Sequence, residues 1–283
     1  MPPSPTDFDL FLPLLDRARR ADGHPPVSDQ ALLEARAGAR DILTVDGGLA
    51  VVSRADRGRE AGVLEVELVV DPPARGRGVG GDLAAMVVER AAGGSPPTVV
   101  LAWAHGDHPA SRALAARFGF EPVRHLLELR STAIRPQADP AVTRAFRPGV
   151  DDAQWLRVNA AAFASHPEQG RMSQADLDAR MAESWFDGDD LLLALHDDGT
   201  VAGFCWLKTD ESPAEFYAVG VDPAAQGRGL GRGLVNAGLA RLEALGVTEC
   251  SLYVESDSVA AVALYRSVGF VEYSVDIQYR RPA

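Results

Sequence analysis

Two segments of this chain are near-copies of each other: "VDPPARGRGVGGDL" at 70–83 and "VDPAAQGRGLGRGL" at 221–234. Pro72 and Pro223 are 151 residues apart, as are Gly78 and Gly229. Farther on, "ALAARFGF" ends at Phe120 and "ALYRSVGF" at Phe270, 150 residues apart. Three anchors that hold one spacing over this stretch indicate a duplicated domain rather than a chance glycine cluster. A chain of 283 residues accommodates two such copies. The proline-bearing stretch "STAIRPQADPAV", 131–142, is the expected linker, which divides the chain into residues 1–138 and 139–283.

Each copy reads as an α/β domain. In the second, "VDDAQWLRVNAAAFA" and "SQADLDARMAESWF" carry helical periodicity, with Asp or Ser near each start. "DLLLALHDDGTVAGFCWLKT" predicts two strands around a turn at Asp198-Gly199. "AEFYAVGVDP" predicts a strand that stops at proline. The glycine segment then opens a helix, followed by strand "TECSLYVES", helix "SVAAVALYRSVG" and final strand "FVEYSVDIQYRR". The first copy repeats this order through "LLEARAGA", "DILTVDGGLAVVS", "GVLEVELVVDP", "GDLAAMVVERAA", "TVVLAWAH" and "HPASRALAARFG". The expectation is a mixed sheet flanked by helices in each half.

Alternate glycines between a strand and a helix let the backbone turn tightly and approach a ligand. The unpaired N–H groups of a helix's first turn attract phosphate, so a diphosphate is the first ligand to consider. A nucleotide P-loop would need Gly-Lys-Ser/Thr at the helix start, and neither segment has it. A dinucleotide fold would carry its glycines after the first strand. Here they follow several strands and helices.

In that topology the segments resemble the GNAT acetyltransferase superfamily, whose signature reads Gln/Arg-x-x-Gly-x-Gly/Ala after a Val-x-Pro strand end. The matching residues are Gln226, Gly227, Arg228, Gly229, Leu230 and Gly231, and in the first copy Arg75, Gly76, Arg77, Gly78, Val79 and Gly80. The resemblance implies two tandem GNAT domains, each a mixed, mostly antiparallel sheet flanked by helices, with acetyl-CoA as acetyl donor. Its diphosphate would lie on the glycine turn and Arg232, with Ser258 and Ala261 of the later helix nearby. Its pantetheine arm would run along Val219, Gly220 and Val221, or along Leu68, Val69 and Val70 in the first copy.

Amine acylation requires a base for the amine and a proton for the departing thiolate. The resemblance gives these roles to Glu215 and Tyr265, and a phenol near pKa 10 suits protonation of a thiolate of about 8.5. In the first copy Leu64 stands opposite Glu215 and Ala115 opposite Tyr265, so only the second domain is expected to be catalytic. "WLRVNAAAFASHPEQG", at 155–170, narrows the resemblance to a mycothiol-forming branch of the superfamily. This implies a small-molecule amine acceptor, cysteinyl-glucosaminyl-inositol, lined by Glu168, Lys208, Glu215 and Tyr253, with Glu34 reaching across from the first half. Two other readings stay open: acetylation of protein N-termini or aminoglycosides, and a non-catalytic acetyl-CoA-binding regulator.

The formal charge of −12 argues against a nucleic-acid partner. No apolar run approaches the roughly 20 residues of a membrane helix, and no basic segment precedes the first apolar stretch, so a cytoplasmic protein without a membrane partner is expected. A monomer is expected, because the tandem supplies within one chain the pairing that single-domain relatives obtain by dimerising. Cys205 and Cys250, each in an apolar run, read as packing residues. His105 and His108 lack a ligand set, His166 lacks a visible catalytic partner, and no metal is expected. Trp103, Trp155, Trp185 and Trp206 read as core or cleft-wall aromatics.

Overall fold

The computed structural model describes residues 9–53, 62–93, 98–136, 138–164 and 169–283. Glu168 and His166 lie outside the described residues. The chain forms two compact units, one of Met1–Leu126 with Ser274–Ala283, the other Leu127–Tyr273.

In the first unit the order is α1 (Leu12–Asp22), α2 (Asp29–Arg36), β1 (Arg40–Val45), β2 (Gly48–Ser53), β3 (Val63–Val70), α3 (Val79–Ala92), β4 (Val99–Ala104) and α4 (Pro109–Arg117). The Ser28 hydroxyl accepts from Ala31 N and starts α2. Strand β2, "GLAVVS", is buried throughout, because both of its faces are covered. Leu49 and Val51 pack with Leu15, Ala18 and Ala31 of α1 and α2. Ala50 and Val52 pack with Leu83, Val87 and Ala91 of α3. Each Leu or Val so buried stabilises the fold by about 1.5–3 kcal/mol.

β5 (Glu121–Ser131) leads into the second unit, which continues with β6 (Arg144–Ala145), α5 (Asp152–Ala162), α6 (Gln174–Met181), β7 (Leu191–Leu195), β8 (Val201–Lys208), β9 (Ala214–Val221), α7 (Leu230–Ala244), β10 (Cys250–Glu255) and α8 (Val259–Ser267). Its strands follow the order β5-β10-β9-β8-β7-β6. β9 and β10 are parallel, while β8 is antiparallel to both β7 and β9. Trp155 of α5 and Trp206 of β8 are fully buried at the centre of its core.

Three features differ from the sequence expectation. The final strand, β11 (Val271–Arg281), begins in the second unit, but its C-terminal part pairs antiparallel with β4 of the first, Ile277 opposite Ala104. The compact units therefore do not divide at residue 138. Second, the proline-bearing linker is hydrogen-bonded to α7, which its composition did not announce. Ala138 N donates to the buried Asn236 Oδ1 at 3.1 Å, and Ala141 N to the Gly233 carbonyl at 2.9 Å. Third, α6 ends at Met181 and leaves Trp185 and Phe186 in a turn, where both pack on Trp206.

Candidate active site

The site is built on an irregularity in β9. Trp206 pairs with Ala218 and Leu207 with Phe216, so Tyr217 is an extra residue that bulges the strand. On the other edge, β10 pairs with β9 at Cys250–Ala214 and Ser251–Glu215, and the pairing ends there. Beyond Glu215 that edge of β9 carries main-chain groups without a β10 partner. An extended polar arm can add along such an edge as a strand would. Val219, Gly220 and Val221 lie on this segment. A Cβ on Gly220 would stand 2.6 Å from the Phe204 ring, so the strand can pass there only with glycine.

β9 runs into the glycine turn. Gly227 and Gly229 have φ of 77° and 82°, a left-handed conformation that favours glycine. A Cβ added at either would meet nothing, so backbone conformation, not packing, selects the residue. Gly229 is the N-cap of α7 and no side chain caps that helix, which leaves its first-turn N–H groups to an external acceptor. Gln226 Nε2 donates to the Val221 carbonyl at 3.2 Å, and Arg232 Nη2 to Ser267 Oγ at 2.9 Å. Gly231 lies against Leu264 of α8. The residues present thus fit a diphosphate with an extended arm. Sequence reasoning missed a bracket beneath the turn: Asp222 accepts from Ala224 N at 3.0 Å and from Arg157 Nη1 at 2.7 Å. An Asp preceding Pro was the available signal for half of it; Arg157 carried none.

Glu215 and Lys208 are cross-strand partners, so their side chains share a face with Trp206, two residues from Lys208. Ser251 is the partner of Glu215 on β10, and Tyr253, half-exposed two residues farther, shares that face beyond the point where the strands part. The Lys208 ammonium lies 5.7 Å from the Trp185 ring centroid and 4.0 Å from Glu211. Tyr265, on α8, occupies the opposite face. It meets Phe270 edge-on at 5.9 Å, and Phe270 meets Phe216 at 5.7 Å. Burial, with a smaller contribution from Cys205, pushes its phenol well above the ordinary tyrosine value. It is held protonated. Burial also raises the Cys205 thiol and lifts Cys250 to about 12, so neither cysteine is a nucleophile, as their apolar surroundings suggested.

The corresponding region of the first unit is differently built. Gly76 and Gly78 keep φ of 74° and 93°, and α3 begins uncapped at Gly78. Arg75, however, is engaged by Asp22 at 2.6 and 2.7 Å and by the Val70 carbonyl. Leu68, Val69 and Val70 pair with β2 in unbroken register, without a bulge. β3 and β4 stay paired through Glu67–Trp103, three residues past the Leu64 that aligns with Glu215. Leu64 and Ala115 are both buried. Glu34 sits on α2 and is held by Arg40 Nε at 2.6 Å and Gln30 Nε2 at 2.6 Å.

His105 has partners that its sequence neighbourhood did not reveal. Its ring nitrogens lie 2.8 Å from Asp276 Oδ2 and 3.0 Å from Glu67 Oε2, and Glu67 also accepts from Ser28 N and Oγ. Burial opposes its charge, but hydrogen bonds to Asp276 and Glu67 outweigh it and raise the imidazole to about 10. His108 caps α4, its Nδ1 accepting from Ala110 N at 3.1 Å. Among the described residues no group of three His, Cys, Asp or Glu is arranged to hold a metal. Among them, no helix is long and apolar enough to cross a membrane.

Comparison with known proteins converges on this architecture. The profile of the Acetyltransferase (GNAT) family matches residues 44–120 and 155–270. Mycothiol acetyltransferase of Clavibacter sepedonicus is 47% identical over 293 residues, covering 99% of this chain and 93% of its own. A GCN5-related N-acetyltransferase from Sphaerobacter thermophilus shares the fold with a TM-score of 0.77 at 21% identity, over 99% of this chain and 94% of that one. A tandem GNAT protein from the clavulanic acid biosynthesis pathway does so with 0.70 at 20% identity, over 100% and 98%. The chain belongs to the GNAT acetyltransferase family, as a tandem member within the group of mycothiol acetyltransferases.

Proposed function

We propose that the second unit transfers acetyl from acetyl-CoA to the cysteinyl amine of cysteinyl-glucosaminyl-inositol, releasing mycothiol and CoA. The observation that carries this reading is the parting of β9 and β10 immediately after Glu215, beside an uncapped glycine turn. A pantetheine arm entering there sets its thioester between two faces of the sheet, with Glu215 on one and Tyr265 on the other. Glu215 takes a proton from the acceptor ammonium, whose pKa of about 7.7–8.0 demands only a modest base. The freed amine forms the new C–N bond at the thioester carbonyl. As the C–S bond breaks, Tyr265 gives its proton to the departing thiolate, and the proton shed by the nitrogen as it becomes an amide restores the phenol through solvent. Gln226, Gly227, Arg228, Gly229, Leu230, Gly231 and Arg232 hold the diphosphate, with Ser258 and Ala261 beside them, and Val219–Val221 hold the arm.

Lys208, Tyr253 and Glu168 serve the acceptor side of the same reading. Glu34 would have to leave Arg40 to join them. In the first unit, Arg75, Gly76, Arg77, Gly78, Val79 and Gly80 can offer a diphosphate cradle, but β3 and β4 remain paired where a thioester would enter. The first unit is read as non-catalytic. The monomeric, cytoplasmic character expected from the sequence belongs to this same reading.

The test is to supply the purified chain with acetyl-CoA and, in turn, the cysteinyl pseudodisaccharide, an aminoglycoside and a peptide N-terminus, measuring CoA formation by chromatography. The pseudodisaccharide is expected to give the highest kcat/KM by at least two orders of magnitude. Equal or faster turnover of either other amine contradicts the assignment.

A further inference from the structure

We infer that Arg180 and Tyr217, with the Trp185 ring beside them, form the subsite that grips the hydroxylated rings of the acceptor. The inference rests on the acceptor class proposed above and names the residues that select it. Tyr217 is the bulge residue of β9 and stands two residues from Glu215, so strand alternation puts it on the face shared by Glu215, Lys208 and Trp206. Its ring lies 5.0 Å from Trp206 and 5.2 Å from Trp185.

Arg180, on α6, donates from Nε to the Tyr217 hydroxyl at 2.6 Å and from Nη1 to the Asp176 carbonyl at 3.3 Å. Arg144, Arg147, Arg157 and Arg241 of the same unit each hold a carboxylate. Arg180 pairs with none among the described residues, although its side chain is half-buried. A guanidinium has five N–H donors, and these two bonds leave three of them unspent. A cation fixed by a phenol and lacking its own carboxylate is set up to donate to a ligand.

The companion groups suit a polyol. Trp185 presents indole surface to the apolar C–H face of a sugar ring, while the guanidinium and Tyr217 meet hydroxyls at its rim. Position agrees as well. Tyr217 is two residues from Glu215, roughly 6–7 Å along the strand. In the acceptor, the first ring is joined through one amide to the cysteinyl residue that carries the reacting amine, so it must lie within that reach of Glu215.

The test compares wild type, Arg180→Gln and Tyr217→Phe on two acceptors: the cysteinyl pseudodisaccharide and a simple cysteine amide without rings. Tyr217→Phe keeps the aromatic packing and removes only the hydroxyl. Loss of a charge-assisted hydrogen bond predicts that the kcat/KM preference for the ring-bearing acceptor falls about tenfold or more in each variant. KM for acetyl-CoA is expected to stay within about twofold of wild type, because the bonds of these two side chains run to each other and to α6 and not to the glycine turn. A preserved preference, an equal loss on both acceptors, or a parallel rise in KM for acetyl-CoA overturns the subsite. Wild-type protein that fails to acetylate the pseudodisaccharide at all overturns the acceptor assignment, and the subsite with it.

Discussion

Burial raises the Tyr265 phenol above the ordinary tyrosine value, so it still carries its proton at the mildly alkaline pH where the acceptor amine, with a pKa of about 7.7–8.0, becomes free. Tyr265→Phe retains the edge-on contact with Phe270 and removes the proton, so kcat is expected to fall about 10²–10⁴-fold with an unchanged circular-dichroism melt. His105 makes a different prediction. Its folded pKa of about 10 exceeds the ordinary 6.5, so its stabilisation is complete below about pH 6.5 and is lost as pH rises toward 10. Urea midpoints measured from pH 6.5 to 10 should decline more steeply in wild type than in His105→Gln. Equal slopes would show that the Glu67–His105–Asp276 group does not hold a proton for the fold. The roles proposed for Glu215 and Tyr265 come from a local motif that numbers their positions. Asp276 was not legible in the sequence, since it reaches His105 across 171 residues of chain. The Arg180–Tyr217 bond was equally hidden, because no helical or strand periodicity announces a single guanidinium.

The elements of the second unit were largely readable from capping and turn chemistry. Ser173 forms a capping box with Asp176 at the start of α6, and Gly199 takes φ of 82° between β7 and β8, as Asp-Gly predicts. Propensity failed at the end of α6, where burial of Trp185 and Phe186 against Trp206 outcompetes continuation of the helix. The β9 bulge was also unreadable, since one extra residue leaves the apolar pattern intact on either side. Gly229→Ala tests the turn. Its Cβ meets nothing, so the cost is the left-handed backbone, roughly 1–2 kcal/mol, and KM for acetyl-CoA should rise several-fold in steady-state kinetics. Asn236→Ala tests the docked linker. It strips buried partners from Ala138 N and the Arg232 carbonyl, and denaturant unfolding should show a loss of about 1–3 kcal/mol.

At the scale of the whole molecule, the duplication was the most legible property of all, because repeated anchors at one spacing survive divergence of everything between them. What could not be read was that the last strand leaves its own copy to pair with β4, because apolar alternation specifies a strand and not its partner. The two units keep the same glycine turn but differ beside it: β9 and β10 part after Glu215, while β3 and β4 stay paired through Glu67. The proposed division of labour, with catalysis in the second unit only, rests on that difference. Its most direct test is a crystal structure of the protein with a thioether analogue of acetyl-CoA, which cannot donate its acyl group. The account predicts the arm added to the free edge of β9 at Val219–Val221, with the sulfur between the Glu215 carboxylate and the Tyr265 hydroxyl. An analogue whose sulfur lies outside the β9–β10 gap, or is reached by neither side chain, would contradict it.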